Sequence, residues 1–340
     1  MIKHQTVLPI AAIAATAIAV VFSSVLGVGS KAVAQEQKLI RIAAPRGIHH
    51  LSLWGVGPFA AKYGLKTEIV AINTNAEALR YAQNGDVQIA VLGYQSPAIM
   101  AEQNVSTIKV IAGHYNGGQN LIMRKAVKFD SWKDLEGKKI GVPPGTYAGV
   151  LFLLAAKAND VDLSKVNIIN TTAVGTVELQ ALKGGDLDGL VMWSPVTDRA
   201  VVDGYAIYPS CCDIGSTKRF GSGNQILGAN TEFLKDRTTA INFLKAYVEA
   251  KEFYSKNPDK ALAVIAQYAG VDRTVLTEAL KHANWETRVD IRIAQNVAKE
   301  GPAFGFTKAD MSGKVASYFD LSYLSAATGR SIDQLSSFGR

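Results

Sequence analysis

The stretch LIMRKAVKFDSWKDLEGKKIGVPPGT, Leu121–Thr146, marks the point where one repeating pattern of the chain ends and a second begins. An apolar strand over 120–124 does not lead into a long helix. Ser131 is typical of the N-cap of a short helix. A new strand over 139–142 then leads through Pro-Pro-Gly into a helix that begins at Thr146. The stretch therefore predicts that the chain crosses from one α/β unit into another.

Short apolar strands and amphipathic helices alternate on both sides of this stretch. We expect strands at 39–44, 66–72, 87–92, 109–113, 120–124, 139–142, 166–170, 189–193, 206–208 and 225–229. We expect helices at 51–63, 77–83, 97–103, 132–136, 146–158, 177–183 and 195–202, then at 240–254, 260–269 and 274–283. This alternation predicts an α/β fold with mainly parallel sheets.

The two crossings between the alternating units divide the chain. We predict a first part of lobe 1 over 35–118 and an inserted lobe 2 over 119–208. The remainder, 209–340, would return to lobe 1 and add the C-terminal helices. Clefts between domains are favoured ligand sites, and hinge closure is a standard motion there. The pattern therefore predicts a ligand cleft between two hinged lobes.

Residues 1–34 have the pattern of a secretory signal peptide. Lys3 precedes an almost wholly apolar run over 7–28, and Ala32-Val33-Ala34 provides small residues before a cut at Gln35. The run is long enough to span a membrane, so an uncleaved anchor is the alternative. We expect cleavage after Ala34 and a periplasmic protein.

Composition argues against several classes of function. The net charge of the 340-residue chain is +7, and the Lys and Arg residues are scattered along it. A nucleic-acid partner is therefore not expected. The only cysteines are Cys211 and Cys212, which lack the spacing of a metal site. They could form a vicinal disulfide or remain small semi-buried thiols, and we favour thiols. No metal or other cofactor is expected.

Four stretches, in this order, resemble one family. They are RIAAPRGIHHLSLW (41–54), AEALRYAQNGDVQIAVLGYQSPAIMA (76–101), LIMRKAVKFDSWKDLEGKKIGVPPGT and ELQALKGGDLDGLVMWSPVTDRAV (178–201). Together they resemble the periplasmic substrate-binding proteins of ABC importers, of the sulfonate, nitrate, taurine and pyrimidine-precursor group. One departure is Ser194, because members often have Asp between this Trp and Pro. A role for that carboxylate is not carried over.

The resemblance implies a two-lobe, type II periplasmic binding protein with its ligand cleft between the lobes. It would bind a small organic anion, a sulfonate or a similar carboxylated or aromatic compound. Lobe closure would then deliver the ligand to an ABC permease and its ATPase subunit, with the binding protein a monomer. A thiamine-type pyrimidine precursor is the alternative ligand. An extracytoplasmic enzyme or a sensor subunit is the alternative class.

Loops that follow strands line the cleft in this fold and supply the candidate ligand-binding residues. From lobe 1 and the first crossing these are Arg46, His49, Trp54, Tyr94, Gln95, His114 and Asn116, and from lobe 2 they are Gly145, Thr146, Tyr147, Trp193 and Ser194. The same loops contain Gly47, His50, Ser96 and Tyr115. We do not expect the adjacent histidines to share a metal ion.

Two groups of these candidates predict the chemistry of the ligand. The helix start at Gly145–Tyr147 would offer backbone N–H groups to an anion, although Thr146 could instead only cap its own helix. Aromatic rings from five loops, which include Trp54 and Trp193, favour a ligand with an apolar or planar body. No catalytic residue is predicted, because Ser106–Lys109 matches S-x-x-K without the companion motifs of that enzyme class.

Overall fold

The computed structural model describes residues 37–172, 174–215 and 225–336. The predicted signal peptide lies outside the described residues. Glu36–Arg340 form one compact unit. No described helix is both long and apolar enough to cross a membrane.

Within the described residues, ten strands form two sheets of five. Sheet 1 has the order β2-β1-β3-β10-β4 and sheet 2 the order β7-β6-β8-β5-β9. The strands are β1 (Lys38–Pro45), β2 (Leu65–Ile72), β3 (Ile89–Gly93), β4 (Ile108–Tyr115), β5 (Gln119–Arg124), β6 (Lys139–Val142), β7 (Asn167–Asn170), β8 (Gly189–Trp193), β9 (Ala206–Ile207) and β10 (Gln225–Asn230). In each sheet the strand that crosses from the other half of the chain, β10 or β5, runs antiparallel to its neighbours. The expected α/β fold is present, with mixed sheets.

Fifteen α-helices lie within the described residues. They are α1 (Leu51–Trp54), α2 (Gly57–Ala61), α3 (Asn75–Asn84), α4 (Ser96–Glu102), α5 (Tyr147–Ala158), α6 (Thr176–Gly184), α7 (Val196–Val202), α8 (Thr231–Leu234), α9 (Arg237–Lys256), α10 (Pro258–Ala269), α11 (Arg273–Lys281), α12 (Ile291–Lys299), α13 (Gly301–Phe304), α14 (Ser322–Thr328) and α15 (Ile332–Leu335). Short 3₁₀ helices cover Ile48–His50, Trp132–Leu135, Leu163–Lys165 and Val315–Tyr318.

One prediction was wrong, because a single expected helix is interrupted. The segment 51–63 forms α1 and α2 rather than one helix. Gly55 ends α1, and Pro58 stands in the first turn of α2, where a missing N–H costs nothing. The helix is therefore interrupted at Gly55 and Val56.

The core lies on both faces of each sheet. The largest cluster packs sheet 1 against α9, α10 and α12, and also includes Tyr147 and Leu151 of α5. Two smaller clusters cover the two faces of sheet 2. Cys211 and Cys212 are joined by a disulfide, with Cys212 buried beside the sheet 2 core. The preference for free thiols was therefore wrong.

Candidate functional site

A small cavity lies where loops of both sheets meet, and we call it the inner cavity. Its volume is about 40 Å³. The carboxyl ends of parallel strands supply most of its wall, as expected for an α/β fold. Its described lining residues are Pro45, Arg46, Gly47, His49, His50, Asn73, Thr74, Asn75, Tyr115, Gln119, Thr146, Tyr147, Ala148, Trp193, Ser194 and Gln225.

His49 forms a buried aromatic contact on the sheet 1 side of the cavity. Its side chain is almost fully buried and its ring stacks on Tyr115, with ring centroids 4.6 Å apart. The ring lies over the backbone of Gly118, where a Cβ atom would come within 2.0 Å of the imidazole. Gly118 also has a φ of +67°, so two independent constraints require glycine at the start of the crossing into β5.

The imidazole of His49 is neutral and available to a ligand. Burial and the charge of His282 lower the pKa of His49 to about 3. Neither ring nitrogen has a hydrogen-bond partner among the described residues. A neutral imidazole offers one N–H donor and one acceptor nitrogen. His49 can therefore give one hydrogen bond to a ligand and accept another.

Two further histidines, His50 and His114, form a hydrogen-bonded pair at this wall. The Tyr247 hydroxyl donates to the Gly113 carbonyl (3.1 Å) and lies 2.7 Å from His114 Nδ1. With the hydroxyl proton on the Gly113 carbonyl, His114 Nδ1–H is the donor to the hydroxyl oxygen, and His114 Nε2 accepts from His50 Nδ1 at 3.0 Å. Burial lowers the pKa of His114, which keeps this ring neutral. In this arrangement His50 Nε2 is an acceptor.

Two glutamines stand at the first residue of the crossing strands β5 and β10. Gln119 Nε2 donates to the Tyr115 hydroxyl (2.9 Å), while Gln119 Oε1 has no partner among the described residues. Gln225 Oε1 is likewise buried without one. Buried polar atoms in proteins are nearly always hydrogen-bonded, so such atoms around a cavity indicate a polar ligand or water.

The helix start of α5 forms part of the sheet 2 wall. Thr146 Oγ1 accepts from Gly149 N–H (3.2 Å) and donates to the Pro143 carbonyl (2.9 Å). The hydroxyl is therefore committed to capping its own helix, which is the alternative that the sequence left open. Thr146, Tyr147 and Ala148 line the cavity, whereas Gly145 is exposed and lies away from it.

The loop after β8 completes this wall. Ser194 N–H donates to the Gly118 carbonyl (3.0 Å), which ties the loop to the start of β5. The Ser194 hydroxyl lies 3.5 Å from Asn120 Nδ2. Trp193 is half-buried and faces the cavity. The loop therefore presents one large ring and one buried hydroxyl.

Six of the twelve candidate residues line the inner cavity and six do not. Those that line it are Arg46, His49, Thr146, Tyr147, Trp193 and Ser194. Those that lie elsewhere are Trp54, Tyr94, Gln95, His114, Asn116 and Gly145. Contact with a ligand remains a prediction for all twelve.

Four of the residues outside the cavity wall, Trp54, Tyr94, His114 and Asn116, have structural partners of their own. Trp54 Nε1 donates to the Pro45 carbonyl (2.9 Å), and its ring stacks on Tyr268 at 4.2 Å. The Tyr94 hydroxyl accepts from Asp290 N–H (3.3 Å). Asn116 N–H donates to the Asn284 carbonyl (2.8 Å). Gln95, at the start of α4, is buried.

Sequence reasoning missed the loop after β2 and the two crossing-strand glutamines. Asn73, Thr74 and Asn75 follow β2, which runs parallel to β1 and so ends at the same edge. That rule was available from the strand order alone. Gln119 and Gln225 had no such signal, because their position depends on where each crossing strand enters its sheet.

The charge of the wall limits the ligand. Arg46 is the one formally charged side chain among the described residues that line the inner cavity, and no carboxylate does. Arg46 is exposed, and its guanidinium lies over the Trp54 ring, 5.9 Å from the centroid. The site therefore suits an anion or a neutral polar molecule better than a cation.

Comparison with known proteins identifies the family. A family model described as NMT1/THI5 like matches residues 59–261. The chain belongs to this family. It is 28% identical over 258 residues to a protein of Brucella abortus (strain 2308) named as a binding protein, covering 71% of this chain and 77% of that one. It is 25% identical over 204 residues to the taurine-binding periplasmic protein of Escherichia coli (strain K12), covering 59% and 61%.

Solved structures share the fold at low sequence identity. The alkanesulfonate-binding protein of Xanthomonas axonopodis pv. citri, bound to MOPS, superposes with a TM-score of 0.69 at 14% identity, covering 84% of this chain and 99% of that one. The desulfurization enzyme DszB superposes with a TM-score of 0.63 at 13% identity, covering 86% and 99%. The fold is thus that of periplasmic binding proteins, and it is also found in an enzyme.

Proposed function

We propose that this protein is the solute-binding component of an ABC importer and binds a small organic anion in the inner cavity. The observation that carries the proposal is the charge of the wall: one cation, Arg46, and no carboxylate among the described lining residues. The neutral His49 and the N–H groups at the start of α5 add uncharged donors. Its relatives named as binding proteins support the same role.

We propose that a sulfonate, or a similar carboxylated anion, is the ligand. Tyr115, Tyr147 and Trp193 give the cavity three aromatic rings, which favour an organic anion over nitrate or sulfate alone. Binding would close the two halves about the crossings near Gly118. The closed protein, as a monomer, would deliver the ligand to a membrane permease and its ATPase subunit. An aminopyrimidine is the alternative ligand.

A panel of ligands tests this function. Thermal unfolding of the purified protein is followed with alkane and aryl sulfonates, taurine, carboxylates, nitrate and aminopyrimidines. A ligand at about 100 times its Kd should add about 2.7 kcal/mol to the free energy of unfolding. Stabilisation by sulfonates supports the proposal. Stabilisation by aminopyrimidines alone would replace the ligand class and keep the binding role.

Arg46→Met tests the charge argument directly. The variant keeps an aliphatic side chain over Trp54 and should bind a sulfonate about tenfold more weakly, because a hydrogen bond to a charged group contributes about 1.5–3 kcal/mol. Arg41→Met is the matched control, since Arg41 is also exposed and lies on β1, the strand that Arg46 follows, but does not line the cavity. Equal effects of the two variants would show that only the net charge matters.

We propose that the protein is not an enzyme, although DszB has the same fold. Incubation with a bound sulfonate, followed by mass spectrometry of the recovered ligand, separates the two classes. A binding protein returns the ligand unchanged, and loss of the sulfonate group would establish catalysis. The intact mass of the exported protein would test cleavage after Ala34 and hence the proposed periplasmic location.

A further inference from the structure

The inner cavity has room for only part of an organic ligand. Its volume of about 40 Å³ compares with about 10–15 Å³ for a single water molecule on the same measure. Clefts that bind drug-sized ligands are larger, about 300–1,000 Å³. In this conformation the inner cavity therefore accommodates a head group of a few non-hydrogen atoms. The rest of a larger ligand must lie elsewhere.

A second space adjoins the inner cavity, and we call it the outer chamber. Its volume is about 540 Å³. Pro45, Arg46, Asn73 and Trp193 line both spaces. The loop after β1 and the loop after β8 thus form the border between them, and a chain attached to a head group inside would pass Trp193 into the outer chamber.

Apolar side chains line the outer chamber on both sides, among polar ones such as Thr176 and Gln180. Val174, Leu179 and Val196 line it from the part of the chain that forms sheet 2. Ile72, at the end of β2, and Val271, after α10, line it from the opposite side. Val174 has 70% of its surface exposed. Apolar surface left open next to a polar cavity is typical of a ligand-binding groove.

The cations at the outer chamber indicate where the negative head group of a ligand would lie. Arg46 stands at the border, where it can pair with a negative head group. Arg199 also lines the chamber, but its guanidinium is held by Asp272 at 2.6 Å and Asp203 at 3.8 Å. Lys183 also lines the chamber, with its ammonium 5.7 Å from the Tyr205 ring centroid. Arg46 is the cation that borders both spaces, so it is the one placed to pair with a head group in the inner cavity.

We propose that the outer chamber is a subsite for the apolar body of the ligand, which selects amphiphilic anions with an alkyl or aryl tail over small hydrophilic ones. This inference rests on the proposed function. The head group occupies the inner cavity near His49 and Arg46, and the tail lies between Val174, Leu179 and Val196 on one side and Ile72 and Val271 on the other. Because both halves of the molecule contact the tail, a longer tail also favours the closed form.

A series of alkanesulfonates tests this subsite. Dissociation constants for methane-, propane- and hexanesulfonate are measured by isothermal titration calorimetry on the purified protein. Full burial of one methylene lowers Kd about fourfold, so partial burial by about half should lower it about twofold. Hexanesulfonate should then bind about 30-fold more tightly than methanesulfonate, over five added methylenes.

Two valines three residues apart provide a matched pair of variants. Val174 lines the chamber and is 70% exposed, whereas Val177 does not line it and is 62% exposed. Neither side chain is part of the core, so both variants should fold. Val174→Asn should reduce the hexanesulfonate-to-methanesulfonate ratio about threefold, because one apolar contact with the tail is lost. Val177→Asn should leave the ratio unchanged, and methanesulfonate should bind all three proteins equally.

The outcomes separate the subsite from the proposed function. Equal affinity for methane- and hexanesulfonate would overturn the subsite and leave the sulfonate-binding function intact. Equal loss in the Val174 and Val177 variants would also overturn it, because the tail would then not contact this wall. Failure of every sulfonate to bind would overturn the proposed ligand class and the subsite together.

Discussion

The two sheets have the same strand order, but loops at corresponding positions differ in burial and in their contact with the inner cavity. In each sheet the central strand, β3 or β8, brings an aromatic residue to its carboxyl end, and a Ser-Pro pair then leads into a helix. Tyr94, in the loop after β3, is 1% exposed and away from the inner cavity. Trp193, at the end of β8, is half-buried and borders both the inner cavity and the outer chamber.

The difference comes from the C-terminal part of the chain. Asp290, at the N-cap of α12, donates its backbone N–H to the Tyr94 hydroxyl, and the ring joins the core that α9, α10 and α12 form with sheet 1. Trp193 is only partly buried and borders the cavity. Loops at equivalent positions of the two sheets therefore need not have the same role, because a later segment of the chain can bury one of them in the core.

Tyr94→Ala should produce the largest effect on stability. Removing a fully buried ring and its hydrogen bond should lower the free energy of unfolding by about 3–5 kcal/mol. Trp193→Ala should cost less than about 2 kcal/mol, because its ring is only half-buried. Urea denaturation of both variants makes the comparison. If the two losses were equal, the distinction between a core loop and a cavity loop would fail.

Trp193→Ala should produce the largest effect on ligand affinity. Loss of this ring should weaken sulfonate binding about 30-fold, which corresponds to about 2 kcal/mol and is typical of a central aromatic contact. Trp54→Ala is the control, because the Trp54 ring is occupied by Tyr268. Its affinity should remain within about threefold of the original protein. Comparable losses by titration calorimetry would place Trp54 at the ligand after all.

The pH dependence of stability should come from the sheet 1 side of the cavity. The pKa of His49 is lowered from 6.5 to about 3, while an unfolded histidine binds a proton below about 6.5. Protons therefore favour the unfolded chain between these values, and stability falls as the pH is lowered. Each such group contributes about 1.4 kcal/mol per pH unit within this window.

His49→Gln should make the fall in stability between about pH 6.5 and pH 5 less steep. Burial also lowers the pKa of His50 and His114, so part of the slope should remain. Denaturant unfolding at a series of pH values measures the slope. Above about pH 7.5 the two curves should run parallel, because an unfolded histidine is then neutral too. An unchanged slope in the variant would mean that His49 is not buried as a neutral ring.

Gly145→Ala should have the smallest effect. Gly145 has a φ of +69°, which costs a residue with a side chain about 1–2 kcal/mol, and no atom lies within 4 Å of the added Cβ. The variant should therefore be less stable by about 1 kcal/mol and bind its ligand within about twofold of the original. A large loss of affinity in a folded variant would instead support the prediction that the ligand contacts this glycine.

Local patterns were sufficient for most of the fold. The strands 139–142 and 189–193 have the predicted bounds. As predicted, Ser131 caps the short helix Trp132–Leu135 and Thr146 caps α5. The single helix over 51–63 was wrong because Gly55 and Pro58 interrupt a pattern that is otherwise apolar at helical spacing. The disulfide was missed because adjacent cysteines carry no spacing signal.

The candidate site was only partly predictable. The rule that ligands meet the carboxyl ends of strands found Arg46, His49, Trp193 and Ser194. It does not say which loops later segments cover, so Tyr94 and Trp54 were included although each has a structural partner. The same rule also covers the end of β2, where Asn73, Thr74 and Asn75 line the cavity.

The sequence alone determined the order of strands and helices, the helix caps and the family, because each of these depends on residues close together in the chain. Only the tertiary structure decided which side chains reach the cavity. Asp290 meets Tyr94 across 196 residues, and the Trp285 indole donates to the His49 carbonyl across 236. Burial is the sum of such distant contacts, so no local pattern can report it.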